Sequence, residues 1–272
     1  MSSKPSTAAV LHEKGETDPD QIDATNDQLA HYLEEIDFEN LEVGALLKWA
    51  DGAFPEKAVI STSLQRTGIV LIHLASELGL KLRVATVDTW RLHRETHEFL
   101  EEIEKRYACD VERIAPDEKQ VNAMVERFGE YLFFDSKEKQ EYCCQVRKTR
   151  PHHELLKTAD CWIAGVRRDQ SVHREMNTPK ASLVPEYGTS RQILKLNPLA
   201  DWTEKQLLQF VEANGIPQHP LYAKGYKSIG CFICSTPAVD GEDQRAGRWR
   251  WFNQKNRELE EDTKECGLHY NI

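Results

Sequence analysis

The chain has 272 residues, of which 45 are acidic and 35 are basic, so its formal net charge is −10. This length excludes a small disulfide-stapled protein and suits one large α/β domain or two small ones. Hydrophobic residues make up 40% of the chain and charged residues 29%, which predicts a globular protein with a filled core. The acidic balance disfavours nucleic acids and membranes as partners, so an anionic ligand requires a local basic pocket.

The sequence predicts neither a membrane span nor an export signal. Its longest apolar run, around residues 68–75, has roughly eight residues, against the ~20 needed to cross a bilayer. The first twenty residues lack the apolar core of a signal peptide and contain acidic side chains early. We therefore expect a cytoplasmic protein, in which the seven cysteines serve metal or thiol chemistry rather than structural disulfides.

The first part of the chain predicts a tail followed by two helices. Residues 1–25 mix Ser, Pro, Thr, Asp and Glu without apolar periodicity, which is typical of a disordered segment. Apolar residues then recur at helical spacing between Leu29 and Trp49. We expect two amphipathic helices there, before the sheet begins.

Three strand signals follow, separated by helical patterns. Residues 57–62 form a β-branched run, and residues 82–89 and 110–116 repeat the strand signal after one helix each. Strands that alternate with helices indicate crossover connections and a parallel sheet. The sequence therefore predicts an α/β fold, a single Rossmann-like domain built on one parallel sheet.

The remaining elements extend this sheet. Residues 135–158 are expected to form helices on both sides of a cysteine pair, and residues 161–166 and 192–198 to form strands. Thr203 and Gln206 form a capping-box pattern that begins a further helix. We divide the chain into a disordered tail (1–25), an α/β domain (26–240) and a basic segment that continues into a mobile C-terminal tail (241–272).

Two polar loops are expected where the ligand of such a sheet binds, beyond the carboxyl ends of the strands. These loops, residues 61–68 and 88–94, predict ligand contacts from Ser61, Ser63, Asp88 and Thr89. Neither a P-loop motif nor a G-x-G-x-x-G motif after a strand is present. The sequence therefore does not support a P-loop phosphohydrolase or a dinucleotide site.

Four cysteines form the strongest chemical signal. Cys143 and Cys144 are adjacent, and Cys231 and Cys234 form a C-x-x-C turn. Adjacent cysteines favour a [4Fe-4S] cluster, in which each thiolate binds its own iron, over zinc, which requires four ligands to approach one ion. Zinc and plain buried or redox-paired thiols remain alternatives. Cys109 and Cys161 lie in apolar, strand-like contexts and are expected to be core residues.

Cys266 lies close to the chain end, where mobility suits a nucleophile that must meet two partners, although an incidental tail cysteine fits the same position. Acidic neighbours favour its neutral thiol, so its activation requires cations from elsewhere. The chain offers three basic clusters that together predict an anion site: Arg147 with Lys148, then Arg167, Arg168 and Arg174, and finally Arg245 and Arg248.

These residues together resemble the sulfonucleotide reductases, the family of adenylyl-sulfate and phosphoadenylyl-sulfate reductases. The resemblance spans residues from about 40 to 270, and five segments carry it: YCCQVRK (142–148), WIAGVRRDQS (162–171), SIGCFIC (228–234), RAGRWRW (245–251) and KECGLH (264–269). It implies an adenine-nucleotide α-hydrolase-like sheet and a [4Fe-4S] cluster on the four cysteines. Members that carry the cluster chiefly reduce adenylyl sulfate.

The resemblance also implies a mechanism. Cys266 attacks the sulfate sulfur, AMP leaves, and thioredoxin releases sulfite from the resulting S-sulfocysteine. Lys148, Arg174, Arg245 and Arg248 match family positions that stabilise the developing negative charge. The cluster is expected to remain electron-silent and to set the local field and the position of Lys148.

Two departures from the family pattern concern the substrate. The loop Ser61–Gly68 reads STSLQRTG where cluster-bearing relatives usually read S-F-G-A-E-D, and Arg66 adds a cation suited to a 3′-phosphate. Trp90 stands where a glycine usually follows the threonine. Reduction of phosphoadenylyl sulfate, or dual specificity, is therefore an alternative to reduction of adenylyl sulfate.

Two further functions are less compatible with the sequence. A more distant alternative is a non-catalytic iron–sulfur sensor, which requires no reactive Cys266. A tRNA sulfur-transfer enzyme or an ATP-using ligase on the same sheet requires an S-G-G-x-D-S loop, which residues 61–63 lack. The oligomeric state, including a homo-oligomer, stays open.

Overall fold

The computed structural model describes residues 19–239, 241–242 and 244–251. A six-stranded sheet forms the centre of this part of the chain, in the order β3-β2-β1-β4-β6-β5. Its strands are β1 (Ala58–Ser61), β2 (Arg83–Val87), β3 (Val111–Ile114), β4 (Cys161–Ala164), β5 (Ala181–Pro185) and β6 (Gln192–Leu196). All neighbouring strands are parallel except β5, which runs antiparallel to β6 along the edge.

Helices precede and connect these strands. In chain order they are α1 (Pro19–Glu35), α2 (Val43–Ala53), α3 (Arg66–Glu77), α4 (Arg94–Tyr107), α5 (Glu118–Phe128), α6 (Lys137–Cys144), α7 (Arg150–Leu156), α8 (Val172–Asn177) and α9 (Glu204–Ala213). The predicted α/β fold is therefore confirmed, with its parallel strands in the expected segments. No helix in the described ranges is both long and apolar enough to cross a membrane.

The first helix corrects the predicted N-terminal tail. Helix α1 begins at Pro19, inside the segment that the sequence predicted to be disordered. The side chain of Asn26 fixes this helix to the start of β6, since it donates to the carbonyl of Ser190 (3.0 Å) and accepts from the amide of Gln192 (2.7 Å). Polar anchoring of this kind leaves no apolar periodicity in the sequence. Residues 1–18 lie outside the described part.

Sequence analysis missed the helices α5 and α8 and the strand β5. The residues of β5, Ala181–Pro185, alternate only weakly, and a proline ends the strand. The pairing with β6 runs from Ala181 opposite Leu196 to Pro185 opposite Gln192. A proline is tolerated at this position because edge strands leave one row of backbone groups unpaired.

Buried apolar residues fill both faces of the sheet. On one face Ile60 and Ile163 join a core with residues of α2 and α3, such as Leu47 and Leu71. On the other face Val59 packs with Ala85 and with Leu155 and Ala159 around α7. The consecutive residues Val59 and Ile60 are thus buried on opposite faces of the sheet, because successive side chains of a strand point to alternate faces.

Two glycines allow the strand ends to approach α3 closely. A Cβ atom on Gly68 would lie 1.9 Å from the Oγ1 of Thr62, and one on Gly165 would lie 2.6 Å from the Oγ1 of Thr67. Any side chain at these glycines would push α3 away from the β1 and β4 exits. The close contact draws the loops after both strands together at one edge of the sheet.

Candidate functional site

A cavity of about 240 Å³ opens beyond the carboxyl ends of β1, β2 and β4. Strand-end loops form one side of it, and the four cysteines of the two sequence pairs form another. The predicted site residues that line it are Ser61, Ser63, Thr89, Cys143, Cys144, Lys148, Arg174, Cys231, Cys234, Arg245 and Arg248. The strand ends and the cysteines, which are far apart in sequence, thus share one space.

The loop after β1 is held by its own side chains. The Oγ1 of Thr62 accepts a hydrogen bond from the amide of Leu64 (2.9 Å), and Leu64 takes a left-handed conformation with φ 57°. Gln65 donates to the Oγ of Ser63 (2.9 Å) and accepts from the amide of Ile229 (3.1 Å). The loop is therefore tied to the segment that carries Cys231, and Ser61 and Ser63 face the cavity on a fixed backbone.

The loop after β2 contains two predicted site residues, and only one of them lines the cavity. Thr89 lines the cavity, and its hydroxyl lies 3.2 Å from the Sγ of Cys231. Asp88 instead accepts a hydrogen bond from the amide of Trp90 (2.8 Å) and is not among the lining residues. Trp90 has φ 58°, which explains why glycine suits this position.

The cysteine pair lies at a change of helical geometry. Helix α6 ends at Cys144, and a π-helical turn, Gln145–Thr149, separates it from α7. The helices predicted on both sides of the pair are confirmed. Such wide turns occur frequently at functional sites. This turn carries Arg147 and Lys148, so both cations follow directly from the cysteine-bearing helix.

Cys143 and Cys234 are buried, Cys144 and Cys231 are half-buried, and the four thiols are close enough to influence one another. Burial raises the pKa of Cys143, Cys144 and Cys234, in the last case to about 12, and the other cysteines of the group contribute to this rise. Gln140 donates to the Sγ of Cys144 (3.4 Å). These three thiols therefore hold their protons at neutral pH unless a metal centre displaces them.

Two arginines place positive charge beside the thiols. Arg147 is 6% exposed and donates to the carbonyl of Thr89 (3.2 Å), and burial together with nearby Arg91 lowers the pKa of Arg147. Sequence analysis did not select Arg91, which lines the cavity, donates to the carbonyl of Glu130 (2.8 Å) and lies 4.9 Å from the ring centre of Phe133. Its position in the loop after β2, one of the two loops expected to contact a ligand, is the sequence feature that could have identified Arg91 as a site residue.

Two other predicted cations point elsewhere. Arg167 pairs with Asp169 (2.9 Å) and Glu204 (2.5 Å), and Arg168 pairs with Glu39 (2.6 Å). Neither is among the residues that line the cavity, contrary to the prediction that both contact the ligand. Carboxylates from distant segments, Glu204 and Glu39, are among their partners, and the local sequence does not reveal these.

Arg66 is also engaged within the protein. Its guanidinium lies 3.6 Å from the ring centre of Tyr222, donates to Gln218 (2.8 Å) and lies 3.8 Å from a carboxylate oxygen of Glu204. It is not among the lining residues. These contacts of Arg66 fix the start of α3 to the C-terminal part of the domain.

The C-x-x-C turn and the basic segment after it are joined by backbone contacts. Ser235 and Arg248 form an isolated antiparallel bridge, and the amide of Trp249 donates to the carbonyl of Cys234 (3.2 Å). These contacts bring Arg245 and Arg248 to the cavity beside the cysteines. Cys266 lies outside the described residues.

A mostly parallel sheet with a cavity at its strand ends that is lined by cations and thiols is an arrangement suited to an anionic ligand. Residues 57–237 match the phosphoadenosine phosphosulfate reductase domain family. The chain therefore belongs to this family, and it is an enzyme of the reductase class.

Curated relatives agree with this assignment, and a solved structure shares the fold. The chain is 36% identical over 215 residues to an adenosine 5′-phosphosulfate reductase of Burkholderia cepacia, and the match covers 79% of this chain and 81% of the relative. It is 37% identical over 214 residues to the enzyme of the same name from Allochromatium vinosum, with 79% of each chain covered. The phosphoadenylyl-sulfate reductase of Candida auris shares the fold, with a TM-score of 0.59 and 21% identity over 82% of this chain and all of that one.

Proposed function

We propose that this protein reduces adenylyl sulfate to sulfite and AMP in sulfate assimilation, with thioredoxin as the reductant, in the cytoplasm. The names of its curated relatives support this substrate. The observation that carries the proposal is the single cavity that joins the strand ends, the four cysteines and several cations. An anionic nucleotide at the strand ends would then present its sulfate group toward the positively charged side.

The chemistry proceeds in two steps at Cys266, in the segment 241–272 that we propose carries the nucleophile. Its thiolate attacks the sulfate sulfur, the bond from that sulfur to the bridging oxygen breaks, and AMP leaves with the electron pair. A thioredoxin thiolate then attacks the Sγ of Cys266 and releases sulfite. The second thioredoxin thiol resolves the mixed disulfide, so the dithiol supplies the two electrons that reduce sulfate to sulfite.

The cations that line the cavity have a defined part in this proposal. Lys148, Arg174, Arg245 and Arg248 offset the negative charge that develops on the leaving phosphate and the sulfonate oxygens. Ser61, Ser63 and Thr89 contact the nucleotide from the strand-end loops. Arg167, Arg168 and Asp88 act on the loops rather than on the ligand, since their contacts lie within the protein.

The four cysteines fit a [4Fe-4S] cluster. They share one cavity, and three of them hold protons that a cationic centre would displace. Among the residues that the structure describes, no group of three or more His, Cys, Asp or Glu side chains is placed to hold a metal ion. The cluster is therefore proposed from the cysteine spacing and the shared cavity, because in a cluster each thiolate binds a different iron. When bound, the cluster would supply a fixed field beside Lys148, without transferring electrons.

Adenylyl sulfate is favoured over the 3′-phosphorylated nucleotide by the engagement of Arg66. This cation was the sequence feature that suggested a site for a 3′-phosphate. Its stacking on Tyr222 and its pairing with Glu204 direct it away from the cavity. Reduction of phosphoadenylyl sulfate would require another cation for the additional phosphate.

The intermediate tests this proposal directly. The protein with its cluster is mixed with adenylyl sulfate in the absence of thioredoxin and examined by mass spectrometry. We expect an adduct of ~80 Da, the mass of SO₃, on Cys266 and its loss as sulfite when thioredoxin is added. Cys266→Ser should form no adduct and release no sulfite. Sulfite release by that variant would refute the mechanism, and a wild-type protein without any turnover would favour the iron–sulfur sensor.

A further inference from the structure

One histidine that the proposed chemistry does not use lies against the cavity. His152, on α7, is 1% exposed and is among the lining residues. Its ring meets the ring of Trp162 edge-on, with 4.8 Å between centroids. Its Nε2 lies 3.0 Å from the Oγ of Ser61, the last residue of β1.

The imidazole of His152 is neutral at physiological pH. Burial lowers the pKa of His152 to about 3, and the nearby His153, Lys148 and Lys195 contribute to the decrease. A neutral imidazole carries one N–H donor and one acceptor nitrogen. The contact with Ser61 therefore depends on which nitrogen holds the proton.

The surroundings of the ring decide between the two tautomers. Nδ1 is buried and has no hydrogen-bond partner within the described part of the chain. A proton on Nδ1 would leave a buried N–H donor unsatisfied, which is costly and rare. With the proton on Nε2, the N–H donates to Ser61 and Nδ1 is only an acceptor. The second arrangement is the more stable one.

We infer that His152 is a positioning residue that makes Ser61 a hydrogen-bond donor to the phosphate group of the bound nucleotide. Because Nε2–H donates to the Oγ of Ser61, the serine's own proton remains available toward the cavity that Ser61 lines. A phosphate oxygen only accepts hydrogen bonds, so it requires this donor. If His152 instead accepted from Ser61, the serine would offer the anion only lone pairs. The inference rests on the proposed function, since it takes the ligand to be an adenine nucleotide.

Two amide substitutions of His152 distinguish the contribution of Nε2 from that of Nδ1. His152→Gln places its side-chain NH₂ close to the position of Nε2, whereas His152→Asn places it close to Nδ1. We expect His152→Gln to keep the affinity for AMP within about threefold of wild type, and His152→Asn and Ser61→Ala to weaken it about tenfold or more. Both amides are neutral and replace the same buried ring, and they differ in size by one methylene, so urea unfolding of both variants checks their stability. Calorimetric titration with AMP measures the difference.

Adenosine and a neighbouring histidine supply the controls. Adenosine lacks the phosphate, so all variants should bind it with similar affinity. His153→Gln changes the adjacent residue, whose ring stacks on Tyr187 at 4.8 Å and does not line the cavity, and should leave AMP binding unchanged. Equal affinities of His152→Gln and His152→Asn for AMP, or an equal loss with adenosine, would overturn the inference.

A double substitution tests whether His152 acts through Ser61. If it does, His152→Asn with Ser61→Ala should bind AMP no more weakly than Ser61→Ala alone. Additive losses would show that the two residues act separately. Sulfite production by the wild-type protein is scored independently, so failure of the proposed function is distinguishable from failure of this inference.

Discussion

The guanidinium of Arg248 lies against the backbone of Gly230, where a Cβ atom would stand 2.1 Å from Nη1. The amide of Gly230 donates to the Oγ of Ser235 (3.0 Å), and Ser235 forms the backbone bridge with Arg248. The residue that precedes Cys231 therefore sets the position of a cavity cation. This contact connects the geometry of the cysteine turn with a cation of the proposed anion site.

Substituting Gly230 should displace this cation. We expect Gly230→Ala to weaken AMP binding about tenfold or more, because the methyl group and the guanidinium cannot occupy the same space. Gly52→Ala is the matched control, since a Cβ on Gly52 meets nothing within 4 Å and the residue lies in α2. Calorimetric titration with AMP compares the two variants. An unchanged affinity of Gly230→Ala for AMP would show that the position of Arg248 does not affect AMP binding.

Iron content should depend on the four cysteines of the cavity and on no core cysteine. Cys234→Ser is expected to lose the brown chromophore and most of the iron and acid-labile sulfide, since a cluster requires each thiolate ligand. Cys109→Ser, at a half-buried position outside the cavity, should retain them. Anaerobic purification with iron and sulfide analysis measures both. Full iron retention in Cys234→Ser would contradict the ligand set.

Arg66 should contribute to stability rather than to substrate choice. Because Arg66 stacks on Tyr222 and pairs with Glu204, we expect Arg66→Ala to lower the free energy of unfolding by about 1 kcal/mol. The ratio of turnover with adenylyl sulfate to turnover with phosphoadenylyl sulfate should stay the same. Arg94→Ala, which removes an exposed pair with Glu98, is the control for stability. A selective loss of turnover with phosphoadenylyl sulfate would place Arg66 in the substrate site.

The stability of the fold should decrease in mild acid because of His219. The amide of Leu221 donates to its Nδ1 (3.2 Å), so Nε2 carries the proton and donates to Thr96 (2.9 Å). Burial, with a smaller effect from His93, lowers the pKa of His219 from 6.5 to about 4. The unfolded state therefore binds more protons than the folded state in this interval. The contribution of His219 is complete above pH 6.5 and is lost as the pH falls toward 4.

Urea unfolding at several pH values measures this dependence. We expect a loss on the order of 2 kcal/mol between pH 6.5 and 4 from this group. His219→Gln should be less stable at pH 7 but should show a shallower decrease on acidification. His97→Gln, at an exposed position of α4, should follow the wild type. Parallel pH profiles for wild type and His219→Gln would exclude the histidine as the cause.

The fold class and the chemical types of the site residues follow from local patterns in the sequence. Alternating strand and helix patterns predicted the parallel sheet, because burial on both faces imposes long apolar runs within each local segment. The cysteine pairs predicted a common thiol site, and all four residues line one cavity. These features depend on residues close together in the chain, so a local pattern reveals them.

Which of the predicted cations line the cavity depends on contacts between distant segments. Arg167, Arg168 and Arg66 resemble Arg174 and Arg248 in the sequence, yet carboxylates of distant segments pair with the first three. The same holds for Asn26, which holds α1 against the start of β6, and for His152, whose hydrogen bond to Ser61 joins two distant segments. An ion pair or a buried hydrogen bond is set by which segments converge, and that convergence is a property of the whole packed chain.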